Sequence, residues 1–272
     1  MRIINRIPTR GQTIFLAALP FIALIMTYGI GSNIRLSENP ADKVLPSLSQ
    51  MAATMREYVL VPDKRTGEYM LWSDTYISLW RLWIGLGLAV LVALVAGVLM
   101  GFIPYIRALL SSFVAAFSLI PPITVLPILF IVVGLEELSK ISLIFIGTAP
   151  LMLRAVALAV DDIPIEMIVK AQTLGASTWQ MLTRVVLPQV LPKLIIATRF
   201  ALIPAWIFLI SAEAIAATGG LGYRIFLVRR FLAMDVILPY VAWITLLAWL
   251  MDTALTKLQR RAFPWFQPEK SP

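Results

Sequence analysis

The residue types behind most enzyme chemistry are missing from this chain of 272 residues. It has no cysteine and no histidine, which excludes disulfides, thiol nucleophiles, imidazole bases and zinc sites built from these ligands. The remaining candidates are charged side chains inside long apolar runs, because a charge within a membrane is costly and usually functional. Arg199 and Glu213 lie in one such run, and about 21 Å of helix prevents them from pairing with each other.

Two interpretations of Glu213 remain open. The carboxylate either faces a solute cavity or gate, or it packs against a hydroxyl or backbone group of a neighbouring helix. Arg199 is close enough to an end of its run to reach the membrane interface, so a structural role competes with a place on the pathway. Arg81 and Asp252 are interpreted as boundary residues of two other runs. No basic cluster lies inside the runs, which argues against a tight anion site.

Three prolines, Pro121, Pro122 and Pro127, interrupt another apolar run. Each removes a backbone donor and frees carbonyl groups that lipid cannot satisfy. A broken helix at membrane depth is tolerated only inside protein or beside water. We therefore predict that the segment around these prolines lines a transport pathway.

The polar segment 160–193 carries helix signals at its start. Asp161 or Asp162 can cap a first short helix, with Pro164 in its first turn. Gly175 can end that helix in a left-handed conformation. The segment is therefore predicted to begin as a helix rather than as a flexible loop.

A second helix is predicted after the glycine. Ser177 and Gln180 have the spacing of a capping box, and Pro188 and Pro192 are expected to stop the helix before the next apolar run. The tip would present Leu174, Ala176, Thr178 and Trp179. Such a surface suits docking of another protein, or an interfacial hairpin with Trp179 as a membrane anchor.

The elements that position these residues are membrane-spanning helices. The composition is 60% apolar and 14% charged, with mean hydropathy +0.86, which no water-soluble fold accommodates. Runs long enough to span a bilayer predict an all-α polytopic protein of about six transmembrane helices. They are residues 12–30, 77–103, 108–134, 141–159, 192–217 and 237–258.

The predicted organisation follows from these runs. Residues 1–30 are an amino-terminal segment with the first helix, 31–75 an extramembrane loop with a short amphipathic helix near residues 46–58, 76–266 the core, and 267–272 a tail. Setting the long loop aside, twelve Lys and Arg residues share a side with both termini and four lie opposite, which predicts cytoplasmic termini. A cleaved signal peptide at the start remains an alternative.

Small residues recur every four positions in the second run. They are Gly85, Ala89, Ala93, Gly97 and Gly101. Small residues at this spacing let another helix approach closely. We predict a helix–helix seam here, with a partner helix in the same or another chain.

The segment 160–193 also resembles a known family. The signature Glu-Ala-Ala, three residues, Gly, nine residues, Ile, one residue, Leu-Pro belongs to the permeases of binding-protein-dependent ABC importers. Here Val169, Lys170 and Ala171 stand for the triplet, followed by Gly175, Val185 and Leu187-Pro188; the glutamate and first alanine differ. Further stretches over about 75–266, including IPPITVLPILF, AEAIAATGGLGY and LQRRAFPWF, resemble the nitrate, sulfonate and taurine importers.

The resemblance implies a type I ABC importer permease fold in a bacterial inner membrane, with 31–75 periplasmic and 160–192 a cytoplasmic coupling loop. It implies two permeases, usually two copies of one chain in this family and two different chains in some relatives. It also implies two ATPases that bind ATP and Mg²⁺, and a periplasmic binding protein. The coupling residues would be Glu166, Lys170, Ala171, Leu174, Gly175, Ala176 and Trp179. The chain has no phosphate-loop motif, so we expect no cofactor and no catalysis on it.

The residues bear on two other classes of function. An ion-driven carrier would need coupling carboxylates near the midplane, and Glu213 is the one deep carboxylate. A serine–histidine intramembrane protease is impossible without histidine, and a two-aspartate protease lacks a second deep aspartate to act with Asp252. A lipid transferase that uses Glu or Asp remains an alternative. The importer remains the main prediction, with a small polar solute as its cargo.

Overall fold

The computed structural model describes residues 8–40, 42–64 and 66–266, and their regular secondary structure is entirely helical. The predicted tail 267–272 and the first seven residues of the predicted segment 1–30 lie outside the described residues. In chain order the helices are α1 (Arg10–Glu38), α2 (Leu48–Leu60), α3 (Met70–Val92), α4 (Val98–Phe102), α5 (Pro104–Ser118), α6 (Pro122–Val133), α7 (Glu137–Asp161), α8 (Ile165–Thr173), α9 (Thr178–Met181), α10 (Leu187–Ala216), α11 (Leu221–Arg229) and α12 (Met234–Ala262).

Five helical segments are long and apolar enough to cross a membrane, and the bent pair α5–α6 would make a sixth. Two segments include a five-residue π-helical stretch, Ala93–Gly97 between α3 and α4 and Leu182–Val186 between α9 and α10. The predicted all-α architecture is therefore confirmed. The connection between α1 and α3 comprises residues 39–69, because both helices extend into the predicted 31–75 loop.

Residue contacts divide the chain into two units. Unit 1 contains the described residues up to Tyr69 together with Val228–Val241. Within it, the Tyr28 hydroxyl donates to the Pro46 carbonyl at 2.7 Å, and the Thr54 hydroxyl donates to Asp235 at 3.0 Å. The predicted amphipathic helix is confirmed as α2, which starts at a capping box between Ser47 and Gln50.

Unit 2, Met70–Leu227 with Ala242 onwards, is organised around α7. The predicted seam is confirmed, and its partner is α7 of the same chain. Cβ atoms placed on Gly85, Gly97 and Gly101 would come within 2.8 Å of Ile144, 2.8 Å of Val156 and 2.6 Å of Val160, respectively. In all three pairs the partner lies the same number of residues further along the chain, so α3–α4 and α7 run parallel.

Because α3–α4 and α7 are parallel, the segment that connects them must cross unit 2 in the opposite direction. Since α7 starts at the same end of unit 2 as α3, residues 103–136 must carry the chain back across it. They do so as α5 and α6, which meet at an angle of 97°. Pro121 is the N-cap of α6 and Pro122 its first residue, so the predicted break in this span is confirmed.

Helix α10 runs antiparallel to α7, with Phe208 against Gly147 and Lys193 bonded to Asp162. Our prediction that Pro188 and Pro192 stop the preceding helix was wrong. The Leu187 backbone N–H bonds to the Leu182 carbonyl in a wide turn, which ends just before Pro188. Pro188 thus occupies the first turn of α10, where no backbone donor is needed, and the helix continues through Pro192.

The two ends of unit 2 differ in character. We call the end that carries Phe102, Asp161 and the segment 162–186 the hairpin end. The opposite end, where Ser78, Glu137 and Glu213 lie, is called the ion-pair end.

Candidate functional site

The hairpin end displays a sharply bent pair of short helices. Helix α8 ends at Thr173 with Leu174 as its C-cap, and the next residue, Gly175, has a φ of +78°, a left-handed conformation that glycine adopts without strain. The Gly175 N–H bonds to the Gln172 carbonyl at 2.9 Å, and the Ala176 N–H bonds to the Ala171 carbonyl at 3.0 Å. This pair of bonds is the Schellman motif, so the predicted glycine bend is confirmed.

The second arm starts as the sequence predicts. The Gln180 N–H donates to the Ser177 hydroxyl at 3.3 Å, and the Ser177 N–H donates to the Gln180 side-chain carbonyl at 2.8 Å. Both bonds of a capping box are therefore present. Because the bend and the cap satisfy the backbone locally, the hairpin holds its shape without burial.

The start of the first arm differs from our prediction. Asp161 is the last residue of α7 and Asp162 its C-cap, so neither caps α8, and Pro164 occupies that N-cap position. The two carboxylates instead tie the base of the hairpin to the spans: Asp161 pairs with Arg107, and Asp162 accepts from Lys193 at 2.8 Å.

The tip of the hairpin is apolar and exposed. Leu174 is 86% exposed and Trp179 70% exposed. Of the other predicted coupling residues, Glu166, Lys170 and Gly175 are exposed, whereas Ala171 and Ala176 are half-buried at the bend. A rigid hairpin that presents large apolar side chains to its surroundings is typical of a docking surface.

The ion-pair end contains a buried cluster that the sequence did not predict. Arg81, 2% exposed, donates two bonds to Glu137 at 2.5 and 2.6 Å and a third to Glu213 at 2.7 Å. Glu213 is fully buried and also accepts from the Ser78 hydroxyl at 2.8 Å and the Gly222 N–H at 2.8 Å. The Glu213 carboxylate therefore has a guanidinium, a hydroxyl and a backbone N–H as its partners, all supplied by the protein.

A second ion pair extends the cluster. Asp74, 2% exposed, accepts from Arg224 at 2.8 Å and from the Gly220 N–H at 3.1 Å. Gly220 has a φ of +117°, and a Cβ there would lie 2.5 Å from the Glu213 carboxylate. The cluster therefore fixes the loop before α11 against α3, and only glycine fits at its centre.

These contacts correct one boundary assignment. Arg81 is not a boundary residue, because α3 begins at Met70 and the guanidinium is buried. Asp252, also interpreted as a boundary residue, accepts from Arg199 at 2.7 and 3.0 Å, between α10 and α12. Arg199 and Glu213 have different partners, as their separation requires.

The pathway candidates are distributed over unit 2. Glu213 is buried at the ion-pair end, whereas the Arg199–Asp252 pair is partly exposed, with 31% and 41% of the two side chains accessible. Pro121 and Pro122 form the break between α5 and α6, and Pro127 lies inside α6. The structure thus places Arg199 and Glu213 in separate ion pairs rather than in one shared site.

The match to a family model decides the identity of this architecture. Residues 82–266 match the model of the binding-protein-dependent transport system inner membrane component. The chain belongs to this family. It is therefore a multi-pass membrane permease of the ABC importer type, as its resemblance predicted, in a family whose permeases work with a separate ATPase and a substrate-binding protein.

Several curated proteins are similar over about the same part of the chain. The taurine transport system permease protein TauC of Escherichia coli is 39% identical over 196 residues, 72% of this chain and 71% of that protein. The putative aliphatic sulfonates transport permease protein SsuC of Escherichia coli is 29% identical, over 72% and 74%. The nitrate import permease protein NrtB of Synechococcus elongatus is 26% identical, over 68% and 67%.

Solved structures share the fold. A chain of the MetNI methionine ABC transporter in an inward-facing conformation matches with a TM-score of 0.63 at 24% identity, covering 73% of this chain and 99% of that one. A chain of an amino acid ABC transporter matches with a TM-score of 0.58 at 14% identity, covering 81% and 99%. The predicted type I importer permease fold is confirmed.

Proposed function

We propose that this chain carries a small polar solute across the inner membrane by alternating access, driven by a separate ATPase that contacts the hairpin. The observation that carries the proposal is the Schellman bend at Gly175, which keeps the side chains of Leu174 and Trp179 exposed. A docked ATPase would bury these side chains and gain a rigid lever, because the hairpin continues into α10 without a break in the helix.

The ion pairs at the base support the same role. Asp161 with Arg107 and Asp162 with Lys193 connect the hairpin to α5, α7 and α10. Movement imposed on the hairpin would therefore reach three helices of unit 2 at once. In this proposal Glu166, Lys170, Ala171 and Ala176 flank the contact with the ATPase.

The remaining partners follow from this assignment. We propose a dimer of two copies of this chain, two ATPase subunits that bind ATP and Mg²⁺, and a periplasmic binding protein that delivers the solute. The chain itself would hold no cofactor and carry out no catalysis. The hairpin end and both termini would be cytoplasmic, in keeping with the basic residues at that end, such as Lys257, Arg260 and Arg261.

The solute class comes from the relatives. TauC, SsuC and NrtB are named for taurine, aliphatic sulfonates and nitrate, all small and polar. The pathway would pass the break at Pro121 and Pro122, then Pro127 inside α6, and the Arg199–Asp252 pair. Glu213, whose bonds to Arg81 and Ser78 hold the ion-pair end together, would act there as a fixed point of the gate.

The test is to purify tagged Leu174→Asp and Trp179→Ala from the native host and to quantify the ATPase that co-purifies. We expect Leu174→Asp to lose most of the ATPase, because a buried unpaired carboxylate opposes docking. Leu135→Asp is the matched control: Leu135 is 60% exposed in the connection between α6 and α7, and this variant should keep its partner. An intact complex with Leu174→Asp would overturn the proposal. An intact complex with Trp179→Ala alone would assign that residue to the membrane interface instead.

A further inference from the structure

One face of α7 changes from buried to exposed along its length. In the first two thirds of the helix, Ile144, Gly147 and Thr148 on this face are buried. One to three turns later the residues on the same face are exposed: Leu151, Arg154, Ala155 and Leu158. A face that is covered in the middle of unit 2 thus becomes open toward the hairpin end.

The crossing of α3 over α7 explains the opening. Gly85 packs against Ile144, whereas Gly97, which lies twelve residues further along the same seam, packs against Val156. Twelve residues of α-helix turn by three full turns and about a third more, so Ile144 and Val156 point in different directions from α7. Helix α3 therefore moves off the face of Ile144 as it approaches the hairpin end, which leaves Leu151, Ala155 and Leu158 on that face uncovered.

Arg154 lies on this uncovered face of α7. It is exposed, and within the described ranges its side chain has no hydrogen-bond or ion-pair partner. It lies seven residues before Asp161, about 10 Å along the axis from the end of α7. The Cα–Cβ bonds of a helix tilt toward its amino terminus, so this side chain sets out toward the middle of unit 2 and away from the hairpin end.

Lipid is a costly environment for such a group. An unpaired guanidinium at membrane depth is found facing water or a polar partner rather than hydrocarbon. The comparison with Arg199 is direct: measured along their helices from the Lys193–Asp162 pair, Arg199 and Arg154 lie about 9 Å and about 12 Å away. Arg199 is neutralised by Asp252, whereas Arg154 keeps an uncompensated positive charge at nearly the same depth.

We propose that Arg154 lines a water-filled vestibule that opens to the hairpin end, and that its charge attracts solutes bearing an oxyanion such as a sulfonate. This assignment rests on the proposed function and narrows its solute class to anions and to zwitterions that present their anionic end. A single cation with no other donor beside it attracts an anion but binds it weakly. Weak binding suits a transport pathway, because the solute must also be released.

The absence of cysteine from the chain makes a direct test possible. Ala155→Cys places one thiol on the uncovered face next to Arg154, and Ala157→Cys places one at a position only 6% exposed. Each is expressed with its native partners in inside-out membrane vesicles. The labelling rates are measured with two methanethiosulfonates, anionic sulfonatoethyl and cationic trimethylammonioethyl. The rate ratio cancels changes in the reactivity of the thiol itself.

We expect Ala155→Cys to react with both reagents and Ala157→Cys with neither. Adding Arg154→Gln to Ala155→Cys should lower the anionic-to-cationic rate ratio about tenfold, and Arg154→Lys should preserve the ratio. Because Arg154 makes no bond, the substitution should leave the amount of folded protein unchanged. No labelling of Ala155→Cys, or an unchanged ratio with Arg154→Gln, would overturn the assignment.

A second measurement separates this inference from the proposed function. Labelling of Ala155→Cys is repeated with the ATPase trapped by vanadate and ATP. Alternating access predicts that trapping closes the hairpin end and slows labelling by both reagents. If labelling keeps its dependence on Arg154 but ignores the trapped ATPase, the vestibule stands and the proposed coupling fails.

Discussion

The two ends of unit 2 use charged residues in opposite ways. At the ion-pair end, Arg81, Glu213 and Asp74 are almost completely buried, and their partners are other protein groups. At the hairpin end, the Lys193–Asp162 side chains are 32% and 67% exposed, and the hairpin beyond them has an apolar tip. The buried, mutually paired charges suit a fixed structure, whereas the exposed apolar tip suits contact with a partner.

This difference has an energetic basis. Removing one partner from a buried ion pair leaves a charge without compensation, which costs far more than breaking a pair that water can solvate. Substitutions at the ion-pair end should therefore act on stability. Substitutions at the hairpin end should act on coupling to the ATPase and leave the spans folded.

The largest loss of stability is expected from Arg81→Leu. It removes the donor of four bonds and leaves the fully buried Glu213 beside Ser78 and Gly222 without a cation. We expect a loss of about 3–5 kcal/mol, seen as a lower thermal midpoint and poor recovery from gel filtration in mild detergent.

A second substitution tests the cause. Arg81→Leu with Glu213→Leu removes both charges and should recover part of the loss, since a neutral pair needs no compensation. Lys257→Leu, an exposed cation without a carboxylate partner in the described chain, is the control and should change stability by less than about 0.5 kcal/mol. A loss from Lys257→Leu as large as that from Arg81→Leu would remove the distinction between the ends.

Gly220→Ala should have the next largest effect. Its φ of +117° disfavours any side chain, and the added Cβ would lie 2.5 Å from the Glu213 carboxylate. We expect destabilisation of about 1–3 kcal/mol by thermal unfolding. Gly134→Ala is the matched control, because Gly134 has a φ of +89° and nothing within 4 Å of the new Cβ. Equal effects would show that backbone conformation alone, not the cluster, makes glycine necessary.

Features of the fold and of the two ends could be predicted from the sequence where the interacting residues lie close together along the chain. The capping box of Ser177 and Gln180, the bend at Gly175 and the break at Pro121 were all predicted. Each is decided by backbone geometry within a few residues. The seam at Gly85 and Gly97 was also predicted, because a row of small residues is a property of one helix.

The ion-pair end was not predicted, and its chain separations show why. Arg81 lies 132 residues from Glu213 and 56 from Glu137, so their pairing depends on how α3, α7 and α10 register against each other. The hydropathy of the second run placed its start near residue 77, which made Arg81 look like an end residue. The helix starts at Met70, two turns earlier, and carries Arg81 into the interior.

At the hairpin end, Gly175→Val should separate coupling from stability. Valine is strained at a φ of +78°, by about 1–2 kcal/mol, but its Cβ meets nothing within 4 Å. The strain is relieved by reshaping the exposed bend, so thermal unfolding of the spans should barely change. Solute-stimulated ATP hydrolysis by the purified complex should be lost. Gly175→Asn, which tolerates the left-handed conformation, should keep it, and normal hydrolysis with valine would contradict the role of the bend.

The smallest effect is expected from Lys193→Met, which breaks the ion pair with Asp162. Because both side chains are partly exposed, the pair should contribute at most about 1 kcal/mol to stability. Salt screens such a pair, so the difference from the unsubstituted protein should shrink between low salt and 1 M salt, where the Debye length is about 3 Å. The loss caused by Arg81→Leu should shrink much less, because the Arg81 and Glu213 side chains are 2% and 0% exposed, although Glu137 at the edge of the cluster is 54% exposed. If both losses respond to salt alike, water enters the ion-pair end, and the contrast between a fixed and a mobile end has to be abandoned.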